Sequence, residues 1–427
     1  MEKVSLKEKI SYGLGSMGYN IANASLATFI LPFYQTFGPE FYGIIILIIT
    51  FSKLFDIISD IIFGYIVDNT KTKLGKSRPY LLFLSIPFMI ILSLTFINPF
   101  SFGIGNFLSY LYIIITYNLL TTIVYTGINI SHSTLNLRIT DNIKERQILN
   151  LFRVYGAFIC TILINNITYP LINIFNWQIT WTIYGIFGMI FFILCFKGTK
   201  ERIFIKNNYK IKELKNIISK NYIISLLSYM FLILKRSLVT IPLVFFASSW
   251  FHSPFLVGLF TISFMVPMTI AIGFTPKIFR FEKSKVLIIT NIIYILSCSL
   301  ILFFGLYLNF IPLVLLIICF IINGIMMAPH EVSSHLFFID IIEENFEKNS
   351  VKIEGLIFSG AAIIKKIGES ISYFIVGLLT ISFIQTNISN SIPILILFTI
   401  VPIIISFGTI FIMCFYKNRY ELEYLKN

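Results

Sequence analysis

Charge is scarce in this sequence. Asp, Glu, Lys and Arg make up 12% of its 427 residues, against roughly a quarter in soluble domains. A hydrophobic content of 57% and a mean hydropathy of +0.86 complete the exclusion of an ordinary water-solvated globule. Histidine is rarer still, and His132, His252, His330 and His335 show no metal-ligand spacing. The five cysteines, Cys160, Cys195, Cys298, Cys319 and Cys414, fall in apolar stretches with no ligand spacing either, which reads as inert packing against lipid or helices. Without a metal motif or an activated nucleophile, bond chemistry and a cofactor are not expected, and a membrane-embedded enzyme is the less favoured class. The net charge of +13 is spread over separate loops, whereas nucleic acid calls for one basic patch, so no nucleic acid partner is expected.

What the sequence has instead is long runs without charge. Pro79 to Leu137, Val154 to Phe196, Ser237 to Pro276, Val286 to His330 and Ser370 to Tyr416 contain no Asp, Glu, Lys or Arg. A bilayer core takes about 20 apolar helical residues to cross, so each run is long enough for a hairpin of two helices. Each has a polar or helix-breaking turn near its middle: Asn98-Pro99, Asn173 to Gln178, Ser248 to Pro254, Tyr307 to Pro312 and Gln385 to Pro393. Ile10 to Ser52 adds another hairpin, turning at Gly38-Pro39-Glu40. The reading is an all-α membrane protein of about twelve spans. No Lys or Arg lies in any of these turns, so the positive-inside rule puts the termini and the loops between hairpins on the cytoplasmic face of the plasma membrane. The polar start MEKVSLKEKISYG reads as no cleavable leader.

The longest polar segment, Lys197 to Lys220, carries eight Lys/Arg and two Glu. It divides the chain into an expected N-terminal six-helix half (1–196), a cytoplasmic linker (197–220) and a C-terminal half (221–427) with a short tail. Gly64 to Arg78 and Gly273 to Lys285, basic loops that follow a glycine at matching places, echo each other faintly. Two six-helix halves are the layout of the major facilitator fold, whose solute site lies near the midplane.

Ionisable residues inside spans each ask for a partner or a function. Lys53, Asp56 and Asp60 are spaced i, i+3 and i+7 in the second span, which lines them on one helical face. Two carboxylates there suit a small hard cation or a proton, and an ion-pair ladder is the bland alternative. In the eleventh span Glu369 can reach back to Lys365 or Lys366. Arg153 opens the fifth span as either a solute donor or a headgroup anchor. Lys235, Arg236, His330 and Glu331 are further buried-charge candidates for pairing within the second half. Asn20, Asn118, Asn129 and Asn323 are span amides suited to interhelical bonding or to hydroxyl contact.

Four stretches together resemble the glycoside-pentoside-hexuronide cation symporters, the branch of the major facilitator fold that includes the melibiose carrier. They are ISYGLGSMGYN, KLFDIISDIIFGYIVDNTKTKLGKSRPYLL, YTGINISHSTLNLRITDNIKERQILNLFR and FIDIIEENFEKNSVKIEGLIFSGAAIIKKIGESI, in the family's order from residue 11 to about residue 377. The resemblance implies alternating access with symport of a sugar or glycoside-like solute and sodium or a proton. It implies a cation site at Asp56 and Asp60 with Asn129, and a solute site at Asn20, Asn129, Arg153 and Lys366. It implies gating salt bridges among Lys53, Asp68, Arg138, Glu145, Arg146, Asp340, Glu343, Glu354 and Glu369. Two positions that are acidic in the melibiose carrier are Asn20 and Asn129 here, and the place of its sugar-stacking tryptophan is Ser133. Melibiose is therefore not the expected solute. A glycoside, pentoside or uronide is, carried by a monomer in the bilayer; a non-sugar amphiphile or organic anion on the same fold is the alternative.

Overall fold

The computed structural model describes residues 4–203, 219–278, 281–349, 354–385 and 392–416. The chain divides into two compact units, Met1–Asn208 and Tyr209–Asn427. Most of the expected linker, residues 204–218, lies outside the described residues, as do the centre of the last hairpin turn and the side chains of Asp68, Glu343 and Glu354.

The first unit holds α1 (Leu6–Gln35), α2 (Pro39–Asn69), α3 (Arg78–Phe83), α4 (Ser85–Thr95), α5 (Asn106–Asn118), α6 (Thr126–Ile139), α7 (Ile143–Phe175) and α8 (Trp177–Gly198). Between α5 and α6 the helix continues without interruption through a π-helical turn, Leu119–Tyr125. The second unit holds α9 (Lys220–Thr240), α10 (Leu243–Phe251), α11 (Leu256–Ile278), α12 (Lys283–Tyr307), α13 (Leu313–Asn349), α14 (Glu354–Gln385), α15 (Ile392–Phe398) and α16 (Ile400–Met413). Among the described residues, joining α3 to α4, α5 to α6, α9 to α10 and α15 to α16 across their local breaks makes six rods in each unit, as many as the charge-free runs imply.

Among the described residues nine helices combine the length and apolarity to cross a membrane. The α3–α4 rod falls outside that set because Leu84 breaks it into short pieces. α1 falls outside it with a centre rich in Gly, Ser and Asn, and α14 with Lys365, Lys366 and Glu369 in mid-helix. Polar residues at membrane depth are what function requires and what hydropathy alone penalises.

The helix ends are set locally. Ser5 Oγ accepts from Glu8 N–H at the start of α1, and Asn142 Oδ1 accepts from Lys144 N–H at the start of α7, satisfying donors that the first turn leaves open. α1 packs along α7 and α8, and α2 lies against α5, the π turn and α6. A Cβ on Gly156 would sit 2.5 Å from the Gly13 carbonyl, so the α1–α7 crossing is as close as two glycines permit. In the second unit α11 packs on α13, α12 on α13 and α16, and α9 on α14 and α16. Outward faces are apolar: Ile61 and Phe107 expose 66% and 78% of their surface, which suits lipid as the solvent.

Candidate cation and solute site of the first unit

The polar face of α2 meets a matching face on the α5–α6 rod. Asn118 Nδ2 donates to Ser52 Oγ at 2.9 Å, Thr122 Oγ1 donates to Asp56 Oδ1 at 2.9 Å, and Thr126 Oγ1 lies 3.2 Å from Asp60 Oδ1. Both helices present these groups at intervals of four, so one stripe of acids and hydroxyls runs between them. Asp56 is buried, Asp60 is half-buried, and Lys53 Nζ stands 3.9 Å from the Asp56 carboxylate. Hard oxygen donors at this density can hold a small cation or share a proton. Sequence reasoning found the acids but missed Thr122 and Thr126. Their spacing from Asn118 was visible, yet threonine in an apolar run is common, and nothing in the sequence marked the π turn.

A second cluster surrounds Arg153. Its Nε donates to Tyr19 Oη at 3.0 Å, Nη2 is 3.4 Å from Asn129 Oδ1, and the guanidinium lies over the Tyr19 ring. Ser16 Oγ donates to the Arg153 carbonyl at 2.7 Å, tying α1 to α7. Asn20, one turn beyond Ser16, donates to the Ser16 carbonyl at 2.8 Å, so part of its amide is engaged within its own helix. Asn129 and Arg153 are thus brought together. Asn129 also stands one turn beyond Thr126, on the rod that faces the acids.

His132 packs beside this cluster. It is buried in the middle of α6 and stacked on Tyr12 with ring centroids 4.1 Å apart. Its Nε2 bonds the Tyr12 carbonyl at 2.7 Å, which requires the proton on that nitrogen, and Tyr12 Oη donates back to the His132 carbonyl at 3.2 Å. Tyr19 meets the imidazole edge-on. Aromatic stacking of this kind is worth about 0.5–1.5 kcal/mol beyond burial, and here it holds α6 against the helix that carries Tyr19.

The remaining candidates fall elsewhere. Glu145 binds Lys9 at 2.8 Å, Arg138 Nη1 donates to Ser77 Oγ at 2.6 Å, and Arg146 Nε donates to the Thr140 carbonyl at 2.7 Å. These anchor the basic-loop end of the first unit. Glu201 does the same, accepting from the backbone N–H groups of Lys76, Ser77 and Arg78 at 2.8–2.9 Å. In the second unit Lys283 pairs with Asp340 at 2.7 Å, and Glu369 is 3.8 Å from Lys365 on α14, which also carries Lys366. Arg236 meets Glu331 at 3.3 Å, and the buried Lys235 bonds Asn291 Oδ1 at 2.6 Å and His330 Nδ1 at 3.2 Å.

Residues 11–418 match a family described as MFS/sugar transport protein. The chain belongs to that family. It is therefore an integral membrane protein of the major facilitator fold. It is 32% identical over 230 residues to the uncharacterized symporter YnaJ of Bacillus subtilis, an alignment covering 50% of this chain and 47% of the relative. The chain spans about half the length of the curated relatives it matches at such identity. A longer alignment, at 27% identity over 405 residues, covers 88% of this chain and 84% of the glucuronide carrier protein homolog of Escherichia coli. A crystal structure of a mutant of the nucleoside transporter NupG superposes with a TM-score of 0.66 at 14% identity, covering 97% of this chain and 100% of the other. That likeness carries the fold alone.

Proposed function

We propose that the chain is a cation-coupled symporter of a sugar or glycoside-like solute, working by alternating access in the plasma membrane with both termini cytoplasmic. One observation carries the reading: Asp56 and Asp60 each meet a threonine hydroxyl from the α5–α6 rod, and that rod also bears Asn129 against Arg153. A cation or proton at the acids and a solute at Asn129 and Arg153 would then act on one helix. Family membership and relatives named as a symporter and a glucuronide carrier homolog support it. Sodium and the proton both suit the carboxylates. Lys366 is the residue of the second unit assigned to solute, and the protein acts as a monomer of two six-helix halves.

A solute bearing a carboxylate is favoured within this reading. Among the described residues the hydrogen bonds of Arg153 end on two neutral oxygens, and paired bonds to a carboxylate are stronger than bonds to hydroxyls. The test is uptake into proteoliposomes of labelled glycosides, pentosides and uronides under a sodium or a proton gradient. Asp60→Asn is expected to abolish uphill accumulation while leaving solute binding measurable. Full gradient-driven uptake in both Asp56→Asn and Asp60→Asn would reduce the acids to structural charges.

A further inference from the structure

The π turn at Leu119–Tyr125 touches both clusters, with Thr122 on Asp56 and the Tyr125 ring edge-on to Tyr19. π-helical turns are rare, occur mostly as single insertions within α-helices, and are frequent at functional sites. This one lies between Asn118 and Thr126, within the stripe that faces the acids of α2. The Thr126 hydroxyl is its decisive atom. It lies 3.2 Å from Asp60 Oδ1 and 3.1 Å from the carbonyl of Thr121, five residues back, which shares the Thr126 backbone N–H with the Ile123 carbonyl, and Ser59 Oγ donates to the hydroxyl at 3.5 Å. A hydroxyl has one hydrogen. When that hydrogen goes to Asp60, the π carbonyl keeps only its share of the backbone N–H. When it goes to Thr121, the π turn gains a bond and the hydroxyl oxygen turns its lone pairs toward the carboxylate.

We propose that the Thr126 hydroxyl and the π turn form the link through which occupancy of the acids is transmitted to the solute residue Asn129, one turn farther along the same helix. This rests on the symport reading. A cation at Asp60 repels the hydroxyl hydrogen and attracts the hydroxyl oxygen, so it drives the hydrogen onto Thr121 and strengthens the π register. An empty, ionised Asp60 draws the hydrogen back and weakens it. Shifting between π and α register turns the residues beyond it relative to those before it, and Asn129, held 3.4 Å from Arg153 Nη2, is among them. A ligand shifts such an equilibrium only by its differential affinity for the two states, and here the differential lies in one hydroxyl.

The test uses the full-length protein in lipid nanodiscs and three variants. Thr126→Val removes the hydroxyl at nearly constant shape, Thr126→Ser restores it, and deletion of Ile123 takes one exposed residue out of the π turn. Binding of a labelled glucuronide and of the matching neutral glycoside is measured in sodium, in choline, and across pH. Backbone hydrogen exchange is followed over residues 119–130. In the wild type the cation is expected to raise solute affinity and to slow exchange in this segment. Thr126→Val and the Ile123 deletion should both bind solute with the cation-induced gain lost, and Thr126→Ser should keep the gain. A full cation-induced gain in Thr126→Val overturns the inference, as does its loss in Thr126→Ser. If neither sodium nor protons affect solute binding or uptake in the wild type, the symport reading fails, and this inference with it.

Discussion

Each unit holds a cation at membrane depth against neutral partners, and the two are handled in opposite ways. Lys235 in the second unit is 2% exposed. Its three ammonium hydrogens are matched by Asn291 Oδ1, His330 Nδ1 and the face of the Tyr294 ring. The His330 ring is held in turn, since its Nε2 lies 3.1 Å from the Ser228 carbonyl and must carry the proton, leaving Nδ1 to accept from lysine. Arg153 in the first unit is half-buried, and two of its five N–H groups account for its hydrogen bonds among the described residues. A sealed cation with saturated donors belongs to the packing of its unit, whereas under the proposed symport reading a partly buried guanidinium with donors to spare is available to a solute. Burial alone would have ranked Lys235 as the more interesting residue, and counting donors reverses the order.

Stability separates them most sharply. Asn291→Leu strips the shortest bond from an ammonium that has no water to turn to, and should cost about 2–3 kcal/mol. A thermal melt in detergent reads this as a lowered midpoint, and adding Lys235→Met should recover part of the loss. Asn129→Leu beside the half-open Arg153 should move the midpoint far less. An equal drop in both would erase the distinction.

Arg153→Lys tests the other side of the comparison. It keeps the charge but loses the planar fork, so affinity for a uronide should fall roughly tenfold, about 1.4 kcal/mol, through the loss of one charge-assisted bond. The neutral glycoside and the melting midpoint should change little. A uniform loss for both solutes would assign Arg153 to packing, like Lys235.

The smallest effect is expected at Lys365, whose ammonium is 3.8 Å from Glu369 in a partly exposed i, i+4 pair. Lys365→Gln should alter stability by about 0.5 kcal/mol or less. A large drop in its melt would mean that α14 carries a second sealed cation, and that the division between the units is less clean than Arg153 and Lys235 suggest.

Much of this was legible in advance where a single helix suffices to place a residue. Asp56 and Asp60 share a face because they are four apart, and Arg236 and Glu331 were visible as charges in need of partners. Thr122, Thr126, Tyr19 and His132 were not. Each takes its meaning from a residue between 66 and 134 positions away, and a threonine or tyrosine in an apolar run is ordinarily lipid- or core-facing.

The sequence by itself determined the all-helical membrane class, the number of passes and the location of the acids, because these follow from hydropathy along one strand of chain and from the 3.6-residue period. Only the tertiary structure decided which hydroxyls face those acids, that the helix opposite them takes a π turn, and which of the two cations, Arg153 or Lys235, keeps donors in reserve. The physical reason is that hydrogen-bond satisfaction is a property of neighbours brought together by packing. A period along the chain gives the face on which a group lies, while the atom opposite it comes from another helix.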